Sequence, residues 1–183
     1  MKHYLDITLL AYDEVPIYFV RNKVYSKLHK ALFELQSTEI AISFPKYKVL
    51  LGDVIRLHGT ESKLSELQNT SWLGGLSGYC QVSPIQTVPD DVSYRVISRI
   101  QANMTEAKLR RLIKRDSISE SEIKQYKAKM FGMGLDNPYL ELQSNSNGHK
   151  HRRYLQFGEL KKESVEGIFD AFGLSKTATI PWF

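Results

Sequence analysis

The chain has 183 residues, enough for one large domain or two small ones. A hydrophobic share of 42% beside 25% charged residues excludes a disordered chain, and the single cysteine, Cys80, excludes a disulfide framework or a zinc site with several thiolates. The net charge of +5 is unevenly placed: residues 1–90 hold nine Lys/Arg and nine Asp/Glu, residues 91–183 hold sixteen and eleven, so a polyanion is the expected partner of the second half, nucleic acid before an anionic membrane.

At the start, Leu5, Ile7 and Leu9 alternate with Tyr4, Asp6 and Thr8, which predicts a half-buried strand. This opening lacks the basic region, apolar core and cleavage site of an export signal, and no run approaches the roughly 18 apolar residues that span a bilayer. No membrane partner is expected, and a cytoplasmic location fits. Behind Pro16, Val20, Val24, Leu28, Ala31 and Leu35 form a helical stripe. "IAISFP" and "DVIRLHG" read as two strands, "ESKLSELQ" as a short helix capped by Thr60, and "GYCQVSPIQTV" as a further strand. The order strand, helix, strand, strand, helix, strand predicts an α+β fold with an N-terminal ferredoxin-like (βαββαβ) domain. The Pro- and Asp-containing stretch 83–93 places a boundary near residue 90, dividing residues 1–90 from a smaller domain at 91–183.

"YRVISRIQ" then reads as a strand whose alternation puts Arg95, Ile97, Arg99 and Gln101 on an outward face, with Tyr94, Val96, Ser98 and Ile100 buried. "KLRRLIKR" places five cations in residues 108–115. On a helix capped by Thr105, Leu109, Leu112 and Ile113 make an apolar face. Lys108, Arg111 and Arg115 form one cationic row and Arg110 with Lys114 another. Like charges at this spacing cost a few tenths of a kcal/mol per pair in an isolated helix, a cost that an anion along the rows reverses. Arg99 and Gln101 suit guanine and adenine, and a short RNA hairpin suits such a helix better than a long duplex, whose major groove is closed to side chains.

Asn147-Gly148 is a strong hairpin signal. Centred there, the hairpin pairs residues whose numbers sum to 295, so that Ser146 faces His149 and Ser144 faces His151. His149-x-His151 has metal-ligand spacing, but no carboxylate cluster completes it. His29 lies on the first helix in line with Tyr25 and Phe33, while His3 and His58 are strand histidines with no informative neighbours.

Taken in order, "HYLDI", "KLHKAL", "ISFP" at 42–45, "SRIQA" at 98–102, the basic helix, "QSNSNGH" at 143–149, "FGLSK" at 172–176 and the final "PWF" resemble the repeat-processing endoribonucleases of type I-F CRISPR systems, members of the RAMP superfamily. The resemblance runs end to end. It implies cleavage of precursor CRISPR RNA at the 3′ base of each repeat hairpin, without metal or cofactor, leaving a 2′,3′-cyclic phosphate and a 5′-hydroxyl. It further implies that the enzyme stays on the mature crRNA as a subunit of the type I-F interference complex. By the same resemblance His29 is the catalytic histidine, Ser144 holds the attacking ribose and Ser146 lies beside it. Arg99 and Gln101 read the lowest bases of the stem, and Lys108, Arg110, Arg111, Lys114 and Arg115 follow its groove. His151 stands where an aromatic stacks under the terminal base pair, Phe172 where an active-site tyrosine is usual, and Lys114 where arginine is usual. Lys150, Arg152 or backbone amides are candidates to stabilise phosphoryl charge, with Arg152 also counted as RNA-binding. A non-catalytic RNA-hairpin subunit and a DNA-binding factor are the competing readings.

Overall fold

The computed structural model describes residues 1–12, 15–100, 106–132, 137–143 and 148–183. Thr105, Gln101, Ser144 and Ser146 lie outside the described residues, as does the predicted turn residue Asn147.

The first half builds one antiparallel sheet. β1 (His3–Leu9), α1 (Ile17–Glu34), β2 (Ala41–Ser43), β3 (Val54–Gly59), α2 (Glu61–Asn69) and β4 (Cys80–Val82) follow in sequence. The sheet order is β2-β3-β1-β4. The alternation in β1 is borne out, with Leu5, Ile7 and Leu9 buried. In the register Leu5 faces Leu57 and Ile7 faces Ile55, so these four share the face covered by the helices. α1 buries Val20, Val24, Leu28 and Ala31 of the predicted stripe, and also Tyr25, Leu32 and the stem of Arg21, whose guanidinium donates to the Gly52 carbonyl at 2.8 Å. Thr60 caps α2 by accepting from Lys63 N, as its position predicts.

The opposite sheet face is closed by the C terminus. Arg56 forms a two-point ion pair with Asp6 at 2.7 and 2.9 Å, and its guanidinium packs on both the Tyr4 and Phe183 rings, which meet each other edge-on. β3 is therefore buried on both faces. His58 is fully buried there, with Nε2 2.8 Å from Ser43 Oγ and Nδ1 without a partner among the described residues.

Four expectations need correction. Gly78 and Tyr79 of the predicted strand "GYCQVSPIQTV" end a 3-10 helix (Gly74–Tyr79), and the rest splits into β4 and β5 (Gln86–Thr87), both paired with β1. Pro84 has no N–H to give the ladder, and the paired numbers sum to 89 before it and 90 after it, which is a bulge of one residue. "YRVISRIQ" likewise divides into β6 (Ser93–Arg95) and β7 (Ile97–Ile100), which belong to different sheets. Its predicted outward face holds at Arg99, which is exposed, and fails at Ile97 and Arg95. Ile97 is the buried residue, and Arg95 is half-buried, donating to the Gly158 carbonyl and stacking on Trp182. Beyond α3 (Glu106–Lys114), the sequence reading assigned no element to α4 (Glu120–Gly132). Its start is a capping box: Glu122 Oε2 accepts from Ser119 N at 2.9 Å, and Glu122 N donates to Ser119 Oγ. Finally, β8 (Tyr139–Gln143) and β9 (Lys150–Phe157) pair with numbers summing to 293, so His151 faces Leu142 and not Ser144. Six residues separate Gln143 from Lys150, a longer connection than a two-residue Asn-Gly turn.

β7, β9 and β8 make a three-stranded sheet, and β6 pairs with β10 (Ile180–Trp182). Ile97, Leu140, Leu142, Leu155, Phe169 and Leu174 join the same buried cluster as the first sheet, with α1 between. Among the described residues, no helix is long and apolar enough to cross a membrane.

Candidate functional site

The helical spacing of α1 sets Tyr25, His29 and Phe33 in one row, from the buried middle of the helix to its exposed end. Each meets the segment 169–174. Asp170 Oδ1 accepts from the backbone N–H groups of Phe172 and Leu174 at 2.9 and 3.0 Å, folding the chain into a tight turn. Gly173 completes it at φ +70°, and its carbonyl accepts from Ile42 N at 3.0 Å. A Cβ there would sit 3.1 Å from Ile42, so both conformation and space require glycine.

This turn presents two carbonyls to α1. Tyr25 Oη donates to the Phe172 carbonyl at 3.1 Å, and burial pushes the Tyr25 pKa up, Arg153 opposing it less strongly, so the phenol stays neutral. His29 Nδ1 lies 2.8 Å from the Ala171 carbonyl. A carbonyl can only accept, so Nδ1 carries the proton and a neutral ring has its lone pair on Nε2. The imidazole stacks on Phe172 at 3.5 Å between centroids and 14° between planes. The guanidinium carbon of Arg153 lies 3.3 Å from the same ring centroid. Two groups that close must occupy opposite faces, giving a layered stack of guanidinium, phenyl and imidazole. Phe172 thus orders the imidazole by packing.

Arg153 was not among the predicted residues, yet β-strand alternation with Leu155 places it inward. It is 5% exposed, its Nε has no partner among the described residues, and desolvation lowers its pKa. Arg152 points to the other face of β9, over the Tyr139 ring at 4.4 Å, and Lys150 is 3.9 Å from Glu141. Neither is brought to His29 by these contacts. His151 is exposed, on the Arg153 side of the strand.

Arg99 is exposed and pairs across β7–β9 with Leu155. It lines an open cavity of about 740 Å³ with Asp170, Ser175 and Lys176, so the structure joins it to the His29 turn. On α3, Lys108, Arg110, Arg111 and Lys114 are exposed, as is Arg115 just after it. Arg110 lies 3.6 Å from Glu106, and Arg111 Nε donates to the Ala107 carbonyl. Arg115 N bonds to the Arg111 carbonyl, so the predicted row continues past the helix end. The apolar face is narrower than predicted: Leu109 is buried, Leu112 half-buried and Ile113 45% exposed. Among the described residues, no group of three or more His, Cys, Asp and Glu is placed to hold a metal ion.

Residues 4–183 match the model of the family described as CRISPR-associated protein (Cas_Csy4). The chain is 36% identical over 184 residues to a protein of Escherichia coli (strain UTI89 / UPEC) named CRISPR-associated endonuclease Cas6/Csy4, with all of both chains covered. It is 35% identical over 187 residues to a protein of the same name from Pseudomonas aeruginosa (strain UCBPP-PA14), again over the whole of both. Two solved structures are similar at lower identity. One is the CRISPR endoribonuclease Cse3 bound to 19 nt RNA, at 14% identity, TM-score 0.38 and coverage of 99% and 100%. The other is a RAMP protein binding different RNA substrates, at 11% identity, TM-score 0.35 and coverage of 98% and 100%. The chain belongs to the Cas_Csy4 family.

Proposed function

We propose that this member of the Csy4 family is a metal-independent endoribonuclease of a type I-F CRISPR system. It binds the repeat stem-loop, cleaves precursor RNA at the 3′ base of the hairpin, and leaves a 2′,3′-cyclic phosphate and a 5′-hydroxyl. Residues 1–90 act as a ferredoxin-like domain carrying His29, and residues 91–183 as the RNA-recognition domain. The product stays bound, and the protein joins the interference complex in the cytoplasm.

The observation that carries the reading is the bond from His29 Nδ1 to the Ala171 carbonyl beneath the Phe172 stack. It leaves Nε2 as the proton acceptor, held in one orientation. A ribose 2′-hydroxyl is a poor nucleophile near neutral pH, and a positioned base that removes its proton during attack contributes about 10²–10⁴-fold. The oxygen attacks the adjacent phosphorus, the P–O5′ bond breaks, and the 5′-oxygen leaves with a proton. Ser144 orients the ribose for in-line attack with Ser146 beside it. Arg99 and Gln101 read the base of the stem, His151 stacks beneath it, and the α3 cations with Arg152 bind its backbone. No second histidine is assigned as the acid for the leaving 5′-oxygen, so a slow catalyst that relies on tight binding is expected.

The test is a labelled repeat hairpin carrying a 2′-deoxy scissile nucleotide, beside the all-ribose hairpin, both in EDTA. The expected outcome is cleavage of the ribose RNA alone. Tight binding of both with cleavage of neither would leave a hairpin-binding subunit in place of a nuclease.

A further inference from the structure

The row on α1 ends one turn beyond His29 at Phe33, which is 68% exposed. Covering that ring would remove apolar surface from water, which is favourable. Its centroid is 6.5 Å from that of His29, at 61°. It borders a cavity of about 440 Å³ with Gln36, Ser37, Thr38 and Ala171, the residue whose carbonyl fixes His29. Ser37 Oγ is buried without a hydrogen-bond partner among the described residues. Gln36 at φ +48°, with Ser37 N bonded to the Leu32 carbonyl, ends α1 abruptly and leaves Phe33 on the rim.

Phe169 and Asp170 form a wall shared with the Arg99 cavity. The two sides of that wall differ in charge. Asp170 belongs to both; the Arg99 side adds the cations Arg99 and Lys176, while the Phe33 side adds Glu34, which is 3.7 Å from Lys30, and the negative end of α1. A phosphate is favoured on the first side and disfavoured on the second, which suits an uncharged planar group.

We propose that Phe33 and the cavity beside it form a subsite for the unpaired nucleobase immediately 3′ of the cleaved phosphodiester, stacked on the Phe33 ring. This rests on the endoribonuclease reading. If His29 acts on the last stem nucleotide, with the stem on the Arg99 side, the first unpaired nucleotide passes His29 toward Phe33. Stacking of unpaired bases on aromatic side chains is the general means of holding single-stranded RNA.

The test uses repeat hairpins extended three nucleotides past the cut, with a 2′-deoxy scissile nucleotide to prevent cleavage. One carries a normal base at the first extended position and the other an abasic residue, so backbone charge is equal. Wild type is expected to bind the first about five- to tenfold more tightly, at the low end of the stacking range. Phe33→Ala should remove that preference and Phe33→Tyr retain it. Equal binding of the two RNAs by wild type, or an undiminished preference in Phe33→Ala, overturns the subsite while hairpin binding stands. Failure of every hairpin to bind overturns the endoribonuclease reading and the subsite together.

Discussion

α1 and α3 each carry an apolar stripe, and they use it differently. α1 buries seven side chains, with Val24, Tyr25 and Leu28 at zero exposure. α3 buries Leu109 alone, and five cations crowd positions 108–115. The position of α1 is thus set by core packing, which allows it to hold His29 within 3.5 Å of Phe172. The repulsion along α3 is offset in part by Glu106 beside Arg110, and on the proposed reading an anion eases the rest. α1 is organised by the core alone, whereas on the proposed reading α3 is completed by substrate.

The largest expected effect separates the two helices by chemistry. His29→Ala should lower single-turnover cleavage about 10²–10⁴-fold while hairpin affinity changes less than about twofold. Equal cutting by both proteins would remove His29 from the mechanism and make α1 a scaffold only.

Acid tests the packed side of the comparison. Burial first, then the Arg56 charge and the amino terminus, hold His58 at a pKa of about 3. Its unfolded value is about 6.5, so below that pH the unfolded chain takes up a proton that the folded chain refuses. Stability from this group is therefore complete above pH 6.5 and is lost as pH falls toward 3, by about 2 kcal/mol between pH 7 and 5. Urea midpoints measure the slope, and a flat profile would mean that His58 accepts its proton within the fold.

The smallest effect falls on α3. Arg111→Ala and Arg115→Ala should each weaken hairpin binding and flatten its salt dependence by at most about one unit of log–log slope. Cleavage of saturating bound RNA should be retained. Unchanged slopes in both variants would show that these side chains do not meet phosphates.

Much of this was readable without a structure. β1, α1 and α2 follow from period-two alternation, period-3.6 spacing and the Thr60 cap, all of which are local. α4 was equally local, since Ser119 and Glu122 spell a capping box, and it went unread. The charge rows of α3 were legible for the same reason. His29, Ser144 and Phe172 came from likeness to a family, because no spacing within the chain marks them. The errors share a cause. The 293 register of β8 and β9, the bulge at Pro84 and the break between β6 and β7 depend on which strand lies alongside. A strand pattern states its own faces, whereas pairing is a property of two strands.

By itself the sequence determined the helices, the alternation of β1, the uneven charge and the residue types available for proton transfer. These are set within a few residues, by side-chain period and capping. Only the tertiary structure decided that Ala171 orients His29, that Phe172 stacks between it and Arg153, and that Phe33 stands open beside it. The contacts of His29 with Ala171 and Phe172 join positions more than a hundred residues apart, where the free energy of burial and of a satisfied hydrogen bond is settled by the whole core at once.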